Sequence, residues 1–239
     1  SQPVHARHVG VLFGRETFSL RTLELPSVDP KELASMLDLQ LGKLTPYPRA
    51  EILSGWALLG SFREGYTSVL LAIGRKTIIE EVLRFLKTKG MVPQWVGVST
   101  EGLEAWWEAA GRSDPSAPSG TLGALIDVDA TSTDCAVFSG SRLLFSHSIA
   151  IGAEQLKSVE QSAARWVGEL ARLPRILSHE SVKGAIGRGV VTGLTQEAQP
   201  LLEQLAGQWG VPLETAEALS VTAPSAAVRQ QAAAGHVSY

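Results

Sequence analysis

Hydrophobic positions in the first part of the chain alternate between two patterns. Short apolar runs typical of strands are separated by stretches in which apolar residues recur every three or four positions, as on one face of a helix. The pattern predicts strands at residues 9–13, 17–25, 51–59, 66–74 and 92–98, and helices at about 30–44 and 77–89. The order ββαββαβ is typical of a compact α+β unit.

Local signals mark where the two predicted helices begin and end. Asp29 followed by Pro30 is a preferred pair at a helix N-terminus, because the carboxylate accepts from free backbone amides and proline needs no amide partner. Gly90 is expected to end the second helix, since glycine adopts the left-handed conformation common after a helix.

The second part of the chain has a different pattern, βββαβα. It is predicted to contain strands at 122–128, 134–138 and 142–151, a long helix at 153–173, a strand at 189–192 and a helix at 196–210, whereas a further helix predicted at 99–111 belongs to the first part. The proline, serine and glycine residues of segment 112–120 predict a linker before this part. The predicted domains are therefore 1–115 and 116–239.

Composition narrows the possible functions. The 239 residues carry a net charge of −3 and one cysteine, so neither a disulfide framework nor a CxxC metal site is expected, and Cys135 is predicted to be a buried thiol. The charge favours neither nucleic acid nor acidic lipid. Neither a signal peptide nor a membrane span can be recognised, so the chain is expected to be cytoplasmic. Metal-ligand spacing and a Ser/His/Asp or Cys/His set are also lacking, so no catalytic or metal-binding residue is predicted.

The most specific motif is a pair of strands around an acidic, hydroxyl-rich turn. It runs from Leu125 to Phe138, and a third strand returns to an Ile-Gly pair at Ile151 and Gly152. This arrangement resembles the second phosphate-binding hairpin of the actin, sugar kinase and Hsp70 superfamily. In that hairpin, Asp-x-Gly-x-x-x-Thr lets backbone amides and a hydroxyl approach nucleotide phosphates.

Two positions of this chain depart from the superfamily's pattern. Asp129 replaces the glycine of the hairpin and would place a negative charge towards a polyphosphate. In the turn that resembles the adenosine-binding glycine pair, Gly193 is kept but the second position is Leu194. The resemblance therefore implies a vestigial nucleotide cleft without a bound cofactor. Its residues are Asp127, Asp129, Thr131, Ser132, Thr133 and Gly193.

The first phosphate hairpin of the superfamily has only one counterpart here. Val9 to Gly14 would hold Leu12 where the aspartate stands. Either the motif has been lost or the hairpin lies outside this chain. We favour the second interpretation, which would make the chain part of a longer protein.

A narrower resemblance covers about residues 18–235. The run Leu23 to Pro26, the helix ending before Tyr47 and the strands to Val98 resemble the inserted subdomain of the PilM family of type IV pilus assembly proteins. The cytoplasmic domain of the type II secretion protein L (GspL) is similar. The segment from Ile151 to Val190, predicted as one helix and a loop, is shorter than in PilM and more like GspL.

The resemblance implies a reduced α/β (α+β) fold of the actin-like ATPase, ribonuclease H-like class, with an inserted ββαββαβ-type subdomain at about 18–98. It implies a non-catalytic cytoplasmic scaffold at the bacterial inner membrane. Its partners would be a bitopic PilN-like assembly protein and the pilus or secretion ATPase, and the resemblance also allows a homodimer. Candidate partner contacts are Tyr47, Trp106 and Trp107, because adjacent helical tryptophans cannot both face one core.

Two other interpretations stay open at this point. The chain could be an ATP-binding PilM-like protein that uses magnesium, with Asp127, Thr131 and Thr133 near phosphate and weak or no hydrolysis. A sugar-kinase-like transferase is also conceivable, but no substrate aspartate can be recognised. The losses of glycine at Asp129 and Leu194 favour the scaffold.

Overall fold

The chain folds into two units that meet in sequence between Ser99 and Thr100. The structure, a computed structural model, describes residues 9–112, 118, 120–158, 160–180, 182–194 and 198–217. The unit boundary precedes the predicted one because helix α3 (Ser99–Ala109) belongs almost entirely to the second unit. Trp107 of that helix stacks on Phe138 with ring centroids 4.9 Å apart. The predicted linker lies largely outside the described residues.

The first unit confirms the predicted order of strands and helices. Its elements are β1 (Gly10–Phe13), β2 (Phe18–Leu25), α1 (Pro30–Leu44), β3 (Ile52–Arg63), β4 (Tyr66–Arg75), α2 (Lys76–Thr88) and β5 (Trp95–Val98). Short 3-10 turns at Arg15–Thr17 and Arg49–Glu51 precede β2 and β3.

Two separate sheets share these five strands. β2, β4 and β3 form an antiparallel sheet in that order, and β1 pairs in parallel with β5. β1 and β2 are thus neighbours in sequence but not in a sheet. Helix α1 covers one face of the three-stranded sheet, where its Leu33, Leu37 and Leu41 pack against buried β4 residues such as Val69 and Leu71. Within the predicted subdomain 18–98, β5 pairs with β1 and not with this three-stranded sheet.

The predicted helix signals act as expected. The Asp29 side chain accepts hydrogen bonds from the backbone N–H groups of Lys31 (2.7 Å) and Glu32 (3.2 Å), which fixes the start of α1. Gly90 follows α2 with φ of 73° and donates to the Lys87 carbonyl, so a left-handed residue ends that helix.

The second unit contains five strands and the remaining helices. After α3 come β6 (Thr121–Val128), β7 (Thr133–Ser139), β8 (Arg142–Ile149), α4 (Ala153–Ser158), α5 (Glu160–Ala171), α6 (Leu173–His179), β9 (Ala185–Thr192), α7 (Gln199–Trp209) and β10 (Leu213–Thr215).

These strands form one mixed sheet in the order β10-β9-β6-β7-β8. β6 to β8 form an antiparallel meander, while β9 and β10 run parallel to β6. One face of the central strand β6 packs against a core that includes Trp166, Leu170 and Leu205 from α5 and α7. The opposite face carries Gly123, where an added Cβ would overlap the Trp107 ring. β6 is thus covered on both faces, which accounts for its almost continuous apolar sequence.

The region after β8 differs from its prediction. The described residues of the predicted helix at 153–173 are helical on both sides of residue 159, as α4 and α5, and the loop expected after it contains helix α6. Pro174 lies at the start of α6, where proline is favoured rather than disruptive. β10, after Pro212, had not been predicted. The first residues of the predicted helix at 196–210 lie outside the described residues, as does the segment after 217.

Candidate functional site

The candidate site surrounds the turn between β6 and β7, at the carboxyl end of β6. The register pairs Asp127 with Asp134 and Val128 with Thr133. Because successive residues of a strand project to opposite faces, Asp127 and Thr133 lie on opposite faces of the sheet. The structure therefore separates these two predicted phosphate-site residues.

Thr133 is fully buried on the helix-covered face. Its hydroxyl donates to the Ile151 carbonyl (2.7 Å) and accepts from the Trp166 indole N–H (2.9 Å). Both hydrogen-bonding functions of the hydroxyl are used within the core. Thr133 therefore holds α5 and the end of β8 against β7, and its hydroxyl is not presented to a ligand.

Asp127 lies on the other face, between two polar neighbours. Thr192 of β9 donates to an Asp127 carboxylate oxygen at 2.5 Å, and Asp134 lies directly opposite on β7. Burial raises the pKa of the Asp127 carboxyl above its ordinary value. The hydrogen bond from Thr192 opposes this rise, whereas the charges of Asp134 and Asp129 add to it. Asp127 is thus a partly buried carboxyl whose charged form is disfavoured.

Two backbone donors of the turn, the Asp129 and Ala130 N–H groups, bond to acceptors within the turn. The Asp129 N–H donates to the Ser132 carbonyl (2.9 Å), and the Ala130 N–H donates to the Asp129 carboxylate (2.7 Å). In the superfamily's pattern these amides face a phosphate. Here the Asp129 carboxylate, and not a phosphate, is the anionic group that accepts the hydrogen bond from the Ala130 N–H. Thr131 is exposed.

The carbonyl groups of the turn are also used. Ala153 and Glu154, at the start of α4, donate their N–H groups to the carbonyls of Asp129 (2.8 Å) and Ala130 (3.0 Å). Gly152 packs against the turn so closely that a Cβ there would overlap the Thr131 amide. The Ile-Gly pair recognised in the sequence therefore serves a close backbone approach, and the turn carbonyls cap the helix amides.

Glycine is required at position 193 for a structural reason. It follows β9 with φ of 79°, and an added Cβ would overlap the Val128 carbonyl oxygen. Only glycine combines this conformation with this approach. Gly193 thus brings the end of β9 to the end of β6, next to the Asp127 and Asp129 region.

The candidate partner contacts differ in exposure. Trp107 is 1% exposed, stacks on Phe138 and donates its indole N–H to the Gly140 carbonyl (3.0 Å), so it offers no surface to a partner. Its neighbour Trp106 is half-buried. Tyr47 is 42% exposed, and the Arg75 guanidinium lies 5.3 Å from its ring centroid. Tyr47 is therefore the most accessible of the three.

Sequence reasoning missed three polar partners of the site, which are Asp134, Trp166 and Thr192. For Asp134, a signal was present. A four-residue turn at 129–132 fixes the pairing of Asp127 with Asp134 once both strands are placed. The roles of Trp166 and Thr192 depend on elements distant in sequence, so no local pattern indicated them.

The described residues were also compared with the requirements of a metal site and of a membrane-spanning helix. They contain no group of three or more His, Cys, Asp or Glu side chains arranged to hold a metal ion. None of the helices in this part of the chain is long and apolar enough to cross a membrane.

Comparisons with known proteins place the fold. No family model and no curated protein sequence matches the chain. Among solved structures, a chain of the PilM–PilN type IV pilus biogenesis complex is similar, with a TM-score of 0.74 and 18% identity over 97% of this chain and 76% of that one.

Two further solved structures have lower scores. A Bacteroides thetaiotaomicron protein with an actin-like ATPase fold and unknown function has a TM-score of 0.49 and 9% identity, covering 88% of this chain and 68% of its own. The cytoplasmic domain of EpsL, an inner-membrane component of the type II secretion system of Vibrio cholerae, has a TM-score of 0.46 and 14% identity over 85% and 74%. The fold assignment rests on the first comparison alone.

The class follows from topology and comparison together. The five-stranded order, with β7 alone antiparallel to the other strands of that sheet, is that of a ribonuclease H-like α/β fold, the class to which actin-like ATPases belong. Within that class, the chain has the fold found in the PilM–PilN complex. The fold predicted from the sequence is thus confirmed.

Proposed function

We propose that this chain is a non-catalytic cytoplasmic scaffold in the assembly platform of a type IV pilus or type II secretion system. The likeness in fold to a chain of the PilM–PilN complex supports the kind of machine. The internal hydrogen bonds of the β6–β7 turn support the absence of catalysis.

The observation that carries this proposal is the hydrogen bond from the Ala130 amide to the Asp129 carboxylate, 2.7 Å long. A nucleotide phosphate would have to displace this carboxylate and then lie beside its negative charge. The Thr133 hydroxyl is likewise occupied within the core. Both effects act against phosphate binding at the turn, so the residues present do not fit ATP and magnesium.

An ATP-binding PilM-like protein with weak or no hydrolysis is the second candidate. One observation favours it: Asp127, Asp129 and Gly193 meet at the same end of the sheet, as a nucleotide site would require. The two candidates differ in a single measurable property, the affinity for nucleotide.

Calorimetric titration with ATP and magnesium tests the choice. We expect no binding heat from the natural chain. An Asp129→Gly variant removes the internal acceptor and the charge, and Asp38→Asn, which removes a carboxylate charge at an exposed position on α1, serves as a control. Binding by Asp129→Gly alone would identify Asp129 as the block. Micromolar binding by the natural chain would contradict the proposal and favour the second candidate.

The proposed partners are the cytoplasmic segment of a bitopic, PilN-like assembly protein and the ATPase of the same machine. Fluorescence anisotropy with a labelled peptide of the PilN-like segment tests the first. Tyr47→Ala should weaken binding if the exposed ring forms part of the contact, and Leu39→Ala, on exposed α1 surface, is the matched control. Equal binding by all three proteins would exclude Tyr47 from the contact, and no binding would argue against this partner.

A further inference from the structure

The C-terminal end of helix α2 and the turn that follows it are basic. Residues 82–100 include none of the 24 acidic residues of the chain, whereas they contain Arg84, Lys87 and Lys89. All three basic residues are exposed. The net charge of −3 therefore conceals a local positive segment at residues 84–92, which we call the α2 tip.

Two large apolar side chains of the α2 tip are also exposed. Phe85 is 59% exposed and Val92 is 73% exposed. The backbone holds the turn against the end of the helix, because the Met91 N–H donates to the Leu86 carbonyl (3.0 Å). The α2 tip thus combines exposed cations and exposed apolar groups in one short, hydrogen-bonded segment.

Lys89 and Phe85 lie on the same side of the helix end. The Lys89 ammonium is 5.6 Å from the centroid of the Phe85 ring. Basic residues at a helix C-terminus also stabilise the helix dipole, but that role does not require an exposed ring beside them. At a lipid interface, such a ring enters the apolar boundary while the flexible lysine stem lets the ammonium reach the phosphates. The pair therefore has the geometry of an interfacial anchor.

The strand that meets the α2 tip is uncharged. The Gln94 N–H donates to the Val9 carbonyl (2.7 Å), and neither Val9 nor β1 after it carries a charge. The acidic residues of α2 lie farther from the helix end: Glu80 is ion-paired within the helix, and Glu81 lies one turn, about 5.4 Å, before Phe85. A flat surface that meets the end of α2 therefore contacts the three cations before either carboxylate.

We propose that the α2 tip binds the surface of an anionic lipid bilayer, with Phe85 and Val92 at the apolar boundary and the three basic side chains at the phosphates. Charge complementarity favours this occupant, because acidic headgroups lie directly above an apolar layer and the tip offers cations and apolar groups together. An acidic protein segment would pair with the cations alone. The proposal concerns the first unit only and does not depend on the function proposed for the chain.

Sedimentation of the natural chain with lipid vesicles tests the role of the cations. We expect binding to vesicles of mixed phosphatidylglycerol and phosphatidylcholine, weaker binding at high salt and little binding to phosphatidylcholine alone. The double variant Lys87→Gln, Lys89→Gln should lower the partition coefficient at least about tenfold. The double variant Lys31→Gln, Lys43→Gln removes the same charge at exposed positions of α1 and should leave it nearly unchanged. Equal losses in both double variants, or no binding by the natural chain, would overturn the proposal.

Entry of the apolar side chains into the bilayer is tested separately. Because Cys135 is 0% exposed, a thiol-reactive dye labels an introduced surface cysteine selectively. A polarity-sensitive dye on Val92→Cys should brighten with acidic vesicles, whereas the same dye on Leu39→Cys, at a 79% exposed position of α1, should not. Phe85→Ser should weaken vesicle binding without changing its salt dependence, and circular dichroism verifies its fold. A Val92→Cys dye that stays in water on bound vesicles, or equally tight binding to polyglutamate, would contradict the proposal and favour an acidic protein segment.

Discussion

The β6–β7 turn and the β3 edge are opposite in how they use their polar groups. In the turn, the Asp129 and Ala130 amides bond within the turn, the carbonyls of the same residues accept from α4, and a core hydroxyl links β7 to α5. Along β3, residues 53–58 are exposed, and the described structure provides a partner strand on one side only.

This difference shows that a site can keep its shape and still lose its capacity to bind. The backbone of a turn can retain the geometry of a ligand site while its N–H groups donate to acceptors inside the protein. An edge strand keeps its capacity as long as nothing covers it. In the described part of this molecule, an exposed edge of this kind lies in the first unit.

The largest effect is expected at Gly193, where the end of β9 approaches β6. Gly193→Ala should lower the free energy of unfolding by about 3 kcal/mol or more, since the methyl group overlaps the Val128 carbonyl and φ is positive. Gly210→Ala has a similar φ of 70° but open space around it, so about 1 kcal/mol is expected.

Urea unfolding of both glycine variants measures the difference. Equal losses would show that the backbone conformation alone requires glycine at 193. In that case the close approach would not explain why this position of the degenerate turn is kept.

A somewhat smaller effect on stability is expected when the buried Thr133 hydroxyl is removed. Thr133→Val keeps the shape but leaves the Trp166 N–H and the Ile151 carbonyl without their partner, which should cost about 2 kcal/mol in unfolding free energy. The exposed Thr131→Val should change it by less than about 0.5 kcal/mol.

Thr133→Ser distinguishes the hydrogen bonds from packing, because it keeps the hydroxyl and removes a methyl group worth about 0.8 kcal/mol. Unfolding by urea, followed by tryptophan fluorescence, gives all three values. If Thr133→Val were as stable as the natural chain, the hydroxyl would be free for a ligand, and the contrast between turn and edge would fail.

The smallest effect concerns the pH dependence from Asp127. Burial raises the pKa of its carboxyl in the folded chain, so the folded state holds a proton that the unfolded state loses first. Its contribution to stability is therefore greatest below the ordinary aspartate pKa of about 3.9 and falls as pH rises through the raised folded value. Asp127→Asn should raise the melting temperature at pH 7.

The gain from Asp127→Asn should shrink towards about pH 3, where both forms are uncharged. The amide oxygen of asparagine can still accept from Thr192. Asp38→Asn, at an exposed position, is the control. A lower melting temperature at pH 7 would mean that a further group stabilises the carboxylate charge.

Much of the fold followed from local chemistry. The start of α1 at Asp29 and Pro30, the end of α2 at Gly90 and the burial of Cys135, where burial raises the thiol pKa to about 12, agree with their predictions. Helix α6 and strand β10 were missed. Both are short elements that begin next to a proline, where propensity predicts a break and only packing decides which element forms after it.

The candidate site also combines features that local sequence predicts with features that only packing decides. The sequence located its turn and its glycine, since the motif is contiguous. It did not indicate that Asp127 and Thr133 face opposite sides of the sheet, a consequence of strand register. It also gave no sign that Trp107 is buried by Phe138, a residue of another strand.

The sequence by itself determined most of the elements and the ends of the first two helices, because periodicity and capping act between residues close in the chain. The class of fold came from the resemblance of its motifs to a known family. The tertiary structure decided which polar groups remain available. The Thr133 hydroxyl meets Trp166 and the Asp127 carboxyl meets Thr192 only when distant strands and helices pack together. Whether a motif binds a ligand depends on such distant partners, since a donor satisfied inside the protein gains little by exchanging its partner.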